Sequence, residues 1–339
     1  MSHRIERRWQ RVDVNTAVST LNRHLPGCYN ERLAASSKTR AAALRKRLTA
    51  FRNELAGLKD GDADALHRAR VATRRLRELV PLLHLTPGHS EPLTRRLRKT
   101  TRRFGRLREL DVLTRLVEEL RAREIYSSKA LDLMTAAFAR ERALLKQRMK
   151  TKLTPAKLRR LSARLEDAAR HMETADASAI PRNNDRSDRG WRWALEARVA
   201  RRSTQLRGAV DLTGPLYRRA ELHDVRIAVK KLRYALELWQ ETGRGGASAD
   251  LRTLKASQDL LGRLHDLEVL IEWVRDAQAS FAPPDLSTWR VFGVLVRDLE
   301  NECRRLHAHY ITNRSKLLKV CERTAERPES LAPSRAAVS

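Results

Sequence analysis

His67-Arg-Ala-Arg-Val-Ala-Thr-Arg-Arg-Leu-Arg77 and His223-Asp-Val-Arg-Ile-Ala-Val-Lys-Lys-Leu-Arg233 are two copies of one stretch, each preceded by a leucine, Leu66 and Leu222. Their common frame is Leu-His-x-x-Arg-x-Ala-x-basic-basic-Leu-Arg. Neither copy contains Pro or Gly, so each is expected to be helical and to turn about 100° per residue. On that wheel His67, Arg70, Arg74 and Arg77 share an arc of roughly 80°. Ala69, Ala72, Leu76, Leu79, Val80 and Leu83 occupy the other side. The second copy sets His223, Arg226, Lys230 and Arg233 against Val225, Ala228, Leu232, Ala235, Leu236 and Trp239. Each stretch therefore reads as a helix with a core face and a cationic face, and Arg75 and Lys231 stand at the edges of the cationic ones.

A second pair keeps nearly the same period. His223 follows His67 by 156 residues, and Gly262-Arg-Leu-His-Asp-Leu-Glu268 follows Gly105-Arg-Leu-Arg-Glu-Leu-Asp111 by 157. Two elements at one offset indicate an internal duplication. The helix around the first of these elements is two-sided as well. Arg95, Arg98, Arg102 and Arg106 share one face, with Leu93, Leu97, Phe104 and Leu107 opposite. Arg252, Lys255 and Arg263 form the matching row in the second unit, where Asp259 replaces the equivalent of Arg102.

Composition agrees with helices and points to an acidic partner. The chain has 339 residues with 41% apolar content and few Gly, Pro and aromatic residues, enough to bury one large or two modest cores. Its 70 basic residues outnumber 41 acidic ones, leaving +29. A charge that large repels itself unless polyanions or counterions compensate it. Ordinary solvated helix faces mix both signs, because oppositely charged neighbours one turn apart gain a few tenths of a kcal/mol. These rows carry almost no acidic residues, which favours a binding surface over a merely basic exterior. Three cysteines, Cys28, Cys303 and Cys321, offer neither a disulfide framework nor a close-spaced metal pair. A reducing cytoplasm is expected, with no membrane span, since no apolar run approaches the roughly 18 residues one needs.

The paired signature helices resemble those of the CHAD family, the conserved-histidine α-helical domains, over residues 36 to 325. That resemblance implies an all-α fold of two pseudo-twofold-related four-helix-bundle repeats with a basic cavity between them, and binding of inorganic polyphosphate. The expected organisation is a leader or short docking helix over 1–35, a first repeat over 36–172, a polar linker over 173–190, a second repeat over 191–325 and a disordered tail over 326–339. The first repeat is expected to place a loop at Thr86–Pro92 before a helix from Leu93, and to break its last helix at Thr154-Pro155. In the second repeat the signature helix is expected to begin at Pro215.

A linear polyanion offers oxygens but no apolar surface, so its site needs many hydrogen-bonding cations, Arg above all. The expected polyphosphate-binding residues are His67, Arg70, Arg74, Arg75, Arg77, Arg95, Arg98, Arg102 and Arg106 from the first repeat. His223, Arg226, Lys230, Lys231, Arg233, Arg252, Lys255 and Arg263 are expected from the second. The histidines lack a partner three or four residues away, and their cationic surroundings disfavour a metal ion. They are expected to hydrogen-bond phosphate or to serve structure. Glu109 with Asp111, and Asp266 with Glu268, could hold Mg²⁺ or act as acid and base, but are read as counter-charges that orient arginines. No phosphate loop, activated nucleophile or zinc spacing is present. The expectation is a binding protein without catalysis or cofactor, at polyphosphate granules or presenting the polymer. Nucleic-acid binding and phosphoanhydride processing are the alternative readings.

Overall fold

The computed structural model describes residues 40–60, 63–178, 181–242, 246–280 and 286–325. The expected leader and tail lie outside these residues, as do Gly61-Asp62 and Pro283-Pro284. Among the described residues there are α-helices and no strands: α1 (Arg40–Ala56), α2 (Ala63–Leu79), α3 (Pro87–Arg121), α4 (Ser128–Lys152), α5 (Pro155–Ser178), α6 (Pro181–Thr213), α7 (Arg219–Gln240), α8 (Ser248–Gln278) and α9 (Leu286–Ala325). The fold is all-α, as the helical periodicity requires.

Three boundaries differ from the sequence reading, each for a local reason. Thr86–Pro92, expected as a loop, contributes the first turns of α3. Pro87 occupies an initial helical position, where a missing N–H costs nothing, and the N–H groups of His89 and Ser90 both donate to the Thr86 carbonyl at 2.9 Å. Residues 173–190, expected as a polar linker, are helical on both sides of 179–180, as the end of α5 and the start of α6. Polar sequence without apolar periodicity does not exclude a helix. The second signature helix begins at Arg219 rather than Pro215, because α6 ends at Thr213 and Gly214 takes a left-handed φ of 58°, a reversal that a residue without Cβ adopts freely. The break at Thr154-Pro155 between α4 and α5 falls where expected.

Helices α1, α2 and α3 pack in sequence, with α5 against α1 and α4 against α3. Helices α6 to α9 close on themselves, α6 on α7, α7 on α8, α8 on α9 and α9 back on α6. Three apolar clusters result. One is centred in the first half, around Phe51, Leu76, Leu165 and Trp191, and one in the second, around Val225, Leu232, Leu254 and Tyr310. The third belongs to both halves. Phe104, Leu113 and Phe138 of α3 and α4 meet Leu270, Trp273 and Phe292 of α8 and α9. The Phe138 and Trp273 rings meet edge to face, 5.3 Å between centroids at 87°, a preferred aromatic geometry. Beside this shared core α2 touches α7, which sets the two signature helices against each other.

Candidate functional site: a cationic seam

The α2–α7 contact buries the middle of both cationic rows. Relative exposures are 0% for Arg70, 3% for Arg74, 0% for Arg226 and 4% for Lys230. None of the three guanidinium nitrogens of Arg70 has a hydrogen-bond partner, nor has the Lys230 ammonium. Burial pushes the Arg70 pKa well down, and Arg74, Arg226 and Arg108 push it further. Lys230 is likewise held well below its ordinary value by burial, then by Arg226, Arg74 and Arg70. Arg226 falls to about 10 through burial, with Asp266 opposing and Arg74 assisting. Cations of both halves thus perturb one another across the seam, where an unpaired buried charge is costly.

Tyr234, one residue beyond the second signature, closes one end. Arg74 Nη1 donates to its hydroxyl at 3.3 Å, and the guanidinium carbons of Arg233 and Arg74 lie 5.0 and 5.8 Å from its ring centroid. Arg233 also reaches Gln258 Oε1 of α8 at 3.1 Å and Glu237 at 2.8 Å. Arg75 crosses from α2 to Glu237 at 3.6 Å. Arg77 lies 3.3 Å from Glu78, and Lys231 is half-buried.

The histidines line the other end. His67 is pushed down to about 3 by burial and then by Arg108, Arg70 and Arg74, so it is neutral near pH 7. The His223 ring stands edge-on to His265 of α8, 5.4 Å away. His265 is held well below its ordinary pKa by burial, then by Arg226, His223 and Lys230.

The α3 and α8 rows divide along their length. Arg95, Arg98 and Arg102 are exposed, as are Arg252 and Lys255, whereas Arg106 and Arg263 further along are half-buried. Arg263 Nη1 lies 2.6 Å from Glu119 of α3, tying the second row to the first half. His67 is near Arg108, and α2 runs back along α3. Two turns on, Arg74 is therefore about level with the α3 turn that carries the exposed Arg98 and Arg102. The structure thus brings Arg70, Arg74, Arg226 and Lys230 together with His67 and His223, and leaves the outer arginines on the exposed stretches that flank them.

The CHAD domain family model matches residues 42–275. The chain belongs to the CHAD domain family. Among solved structures it is similar to the CHAD domain from the plant Ricinus communis, at 19% identity and a TM-score of 0.57, over 85% of this chain and 92% of that one. It is also similar to PptA from Streptomyces chartreusis, at 16% identity and a TM-score of 0.55, over 87% of this chain and 99% of that one. A search of the curated proteins finds no match.

In this CHAD domain the paired carboxylates stand beside arginines. Asp111 accepts Arg142 Nε at 2.7 Å, and Glu268 accepts the Tyr217 hydroxyl at 2.7 Å with Arg219 Nε at 3.3 Å. Asp266, Glu268 and Glu109 all act on Arg226. Among the described residues no three His, Cys, Asp or Glu side chains converge as metal ligands, and no helix is long and apolar enough to cross a membrane. The sequence reading missed three members of the seam. Arg108, 2% exposed and lowered to about 10 by burial, and His265 occupy equivalent positions in the duplicated Gly-Arg-Leu-x-acidic-Leu-acidic element. That equivalence was the available signal. Both lie on the apolar arc of their helices, so the helical wheel hides them. Tyr234 gave no signal beyond following a signature arginine.

Proposed function

We propose that this CHAD protein is a non-catalytic binding module that holds inorganic polyphosphate along the cationic seam between α2 and α7. One observation carries the reading. Arg70 is wholly buried with none of its guanidinium nitrogens bonded, and the Lys230 ammonium beside it is in the same state. Both stand among like charges from the opposite half. A phosphate polymer supplies the acceptors and the negative charge that such a cluster lacks, and planar guanidiniums match phosphate oxygens in pairs. The exposed Arg95, Arg98, Arg102, Arg252 and Lys255 give the polymer a charged path to either side. The CHAD resemblance implies the same ligand. Bound polymer would serve granule targeting or presentation to other proteins.

Nucleic acid could also satisfy charge, but sequence-independent single-strand binding adds open aromatic platforms. Tyr234 at this seam is instead covered by two guanidiniums. The test is the double variant Arg74→Glu/Lys230→Glu. Its affinity for long-chain polyphosphate at physiological salt is expected to fall by about a hundredfold or more, with helicity by circular dichroism retained. Wild-type log affinity should fall linearly with log salt. Unchanged polyphosphate binding by a folded double variant refutes the seam, and equal competition by DNA or RNA of matched charge favours the nucleic-acid reading.

A further inference from the structure

The duplicated frame places an acidic or ionisable group directly after its last arginine in both halves: Arg77-Glu78 and Arg233-Tyr234. The two groups differ in kind. Glu78 is a permanent anion, held below its usual carboxylate range, against burial, by Arg77, Arg198 and Arg202. Its contacts are Arg77 at 3.3 Å and, from the other half, Arg198 of α6 at 3.1 Å, so it pairs with arginines other than Arg70, Arg74, Arg226 and Lys230. Tyr234 is 5% exposed and does face the seam. Its hydroxyl accepts Arg74 from the other half, and its ring lies under Arg74 and Arg233. Two arginines proposed above to grip phosphate are therefore already gathered on one phenol.

We propose that Tyr234 is the positioning residue and proton store of the phosphate site: ionised, its phenolate holds Arg74 and Arg233 at the seam, and on protonation it releases both to incoming phosphate oxygens. This rests on the polyphosphate reading. Above about pH 8 the proton leaves Tyr234 Oη to solvent in the empty protein and returns from solvent when the polymer binds, so mass and charge balance without another reactant. The groups acting on the phenol are Arg70 and Arg74 from α2, and Arg233 and Glu237 from α7. From α8, Gln258 and Asp259 act on Arg233. Burial alone would push the phenol up, but Arg74 and then Arg233 outweigh it and hold it at about 8, with Glu237 opposing them.

The sign follows directly. A polyanion at Arg74 and Arg233 removes the cations that favour phenolate, so binding raises the phenol pKa and takes up a proton. Affinity should therefore decline above about pH 8, by at most about tenfold per pH unit for one linked proton. Among the described residues the other tyrosines, Tyr126, Tyr217 and Tyr310, are pushed upward by burial, so an ionisation near pH 8 is separable from theirs.

The test titrates tyrosinate absorbance of the full chain with and without saturating long-chain polyphosphate, beside Tyr234→Phe. The wild type is expected to ionise one tyrosine near pH 8, and polymer is expected to move that step up by about one unit or more. Calorimetry in buffers of different ionisation enthalpy should record proton uptake above that pH. Tyr234→Phe should lose the step, the proton uptake and the pH dependence. The wild-type shift needs no variant, so a Tyr234→Phe protein that fails to fold leaves it decisive. Persistence of the step in folded Tyr234→Phe, or a step that polymer binding leaves unmoved, overturns the proposal alone. A wild type that shows the step but binds no polyphosphate overturns the polyphosphate reading, and the hand-over with it.

Discussion

The two halves of the molecule meet along two neighbouring strips of opposite chemistry. On one, Phe104, Leu113 and Phe138 interlock with Leu270, Trp273 and Phe292 in a dry apolar core. On the other, Arg70 and Arg74 face Arg226 and Lys230 with too few acceptors between them. The first strip is favourable on its own, since apolar burial gains about 25 cal/mol per Å². The second is unfavourable by itself, because buried like charges cost free energy unless they are compensated. Their adjacency shows how an unfavourable arrangement persists: packing on one strip fixes the separation of the helices, and repulsion on the other cannot relax without breaking that packing.

The largest expected effect comes from breaking the apolar strip. Trp273→Ala should cost about 3–5 kcal/mol of stability in urea unfolding, the range for truncating a buried aromatic side chain. An effect near zero would mean that the halves are held together some other way. Next comes Arg70→Met, which removes a buried charge but keeps most of the volume. Without ligand it should raise stability by about 1–4 kcal/mol while weakening polyphosphate binding. A stability loss would show that Arg70 has a compensating partner and that the cationic strip is not strained. The smallest effect is expected from Arg95→Ala/Arg98→Ala/Arg102→Ala on the exposed stretch of α3. Stability should stay within about 0.5 kcal/mol, and the slope of log affinity against log salt should shrink by about 2, if each of the three arginines neutralises one phosphate and so releases about 0.7 counterion.

Much of this was legible in the sequence because the two signature helices are periodic, uninterrupted and present twice. His67, Arg70 and Arg74, and His223, Arg226 and Lys230, share arcs on a helical wheel, and the structure gathers them at the seam. The wheel fails where a helix is surrounded. Between Phe104 and Leu113, α3 is buried on nearly every side, so polar and apolar arcs no longer mean outside and inside. Arg108 sits among leucines on the wheel yet belongs to the charged cluster. The same limit hides His265 in α8. Helix starts were misread for a different reason: Pro87 and Pro92 suggest a loop, but Pro87 takes an initial helical position, where proline is tolerated, and Pro92 stands inside the helix. The polar stretch at 173–190 carried no burial signal to distinguish helix from coil.

The middle core has a consequence for how the molecule comes into being. Because Trp273 and Phe292 rest on Phe104 and Phe138, neither half can finish its own interior alone. A chain ending at the connection between α5 and α6 would present that aromatic face to water and would find a complementary face only on another molecule. Completing the interior and bringing Arg70 and Arg74 against Arg226 and Lys230 are then a single event, and partially made protein does not cover its aromatics.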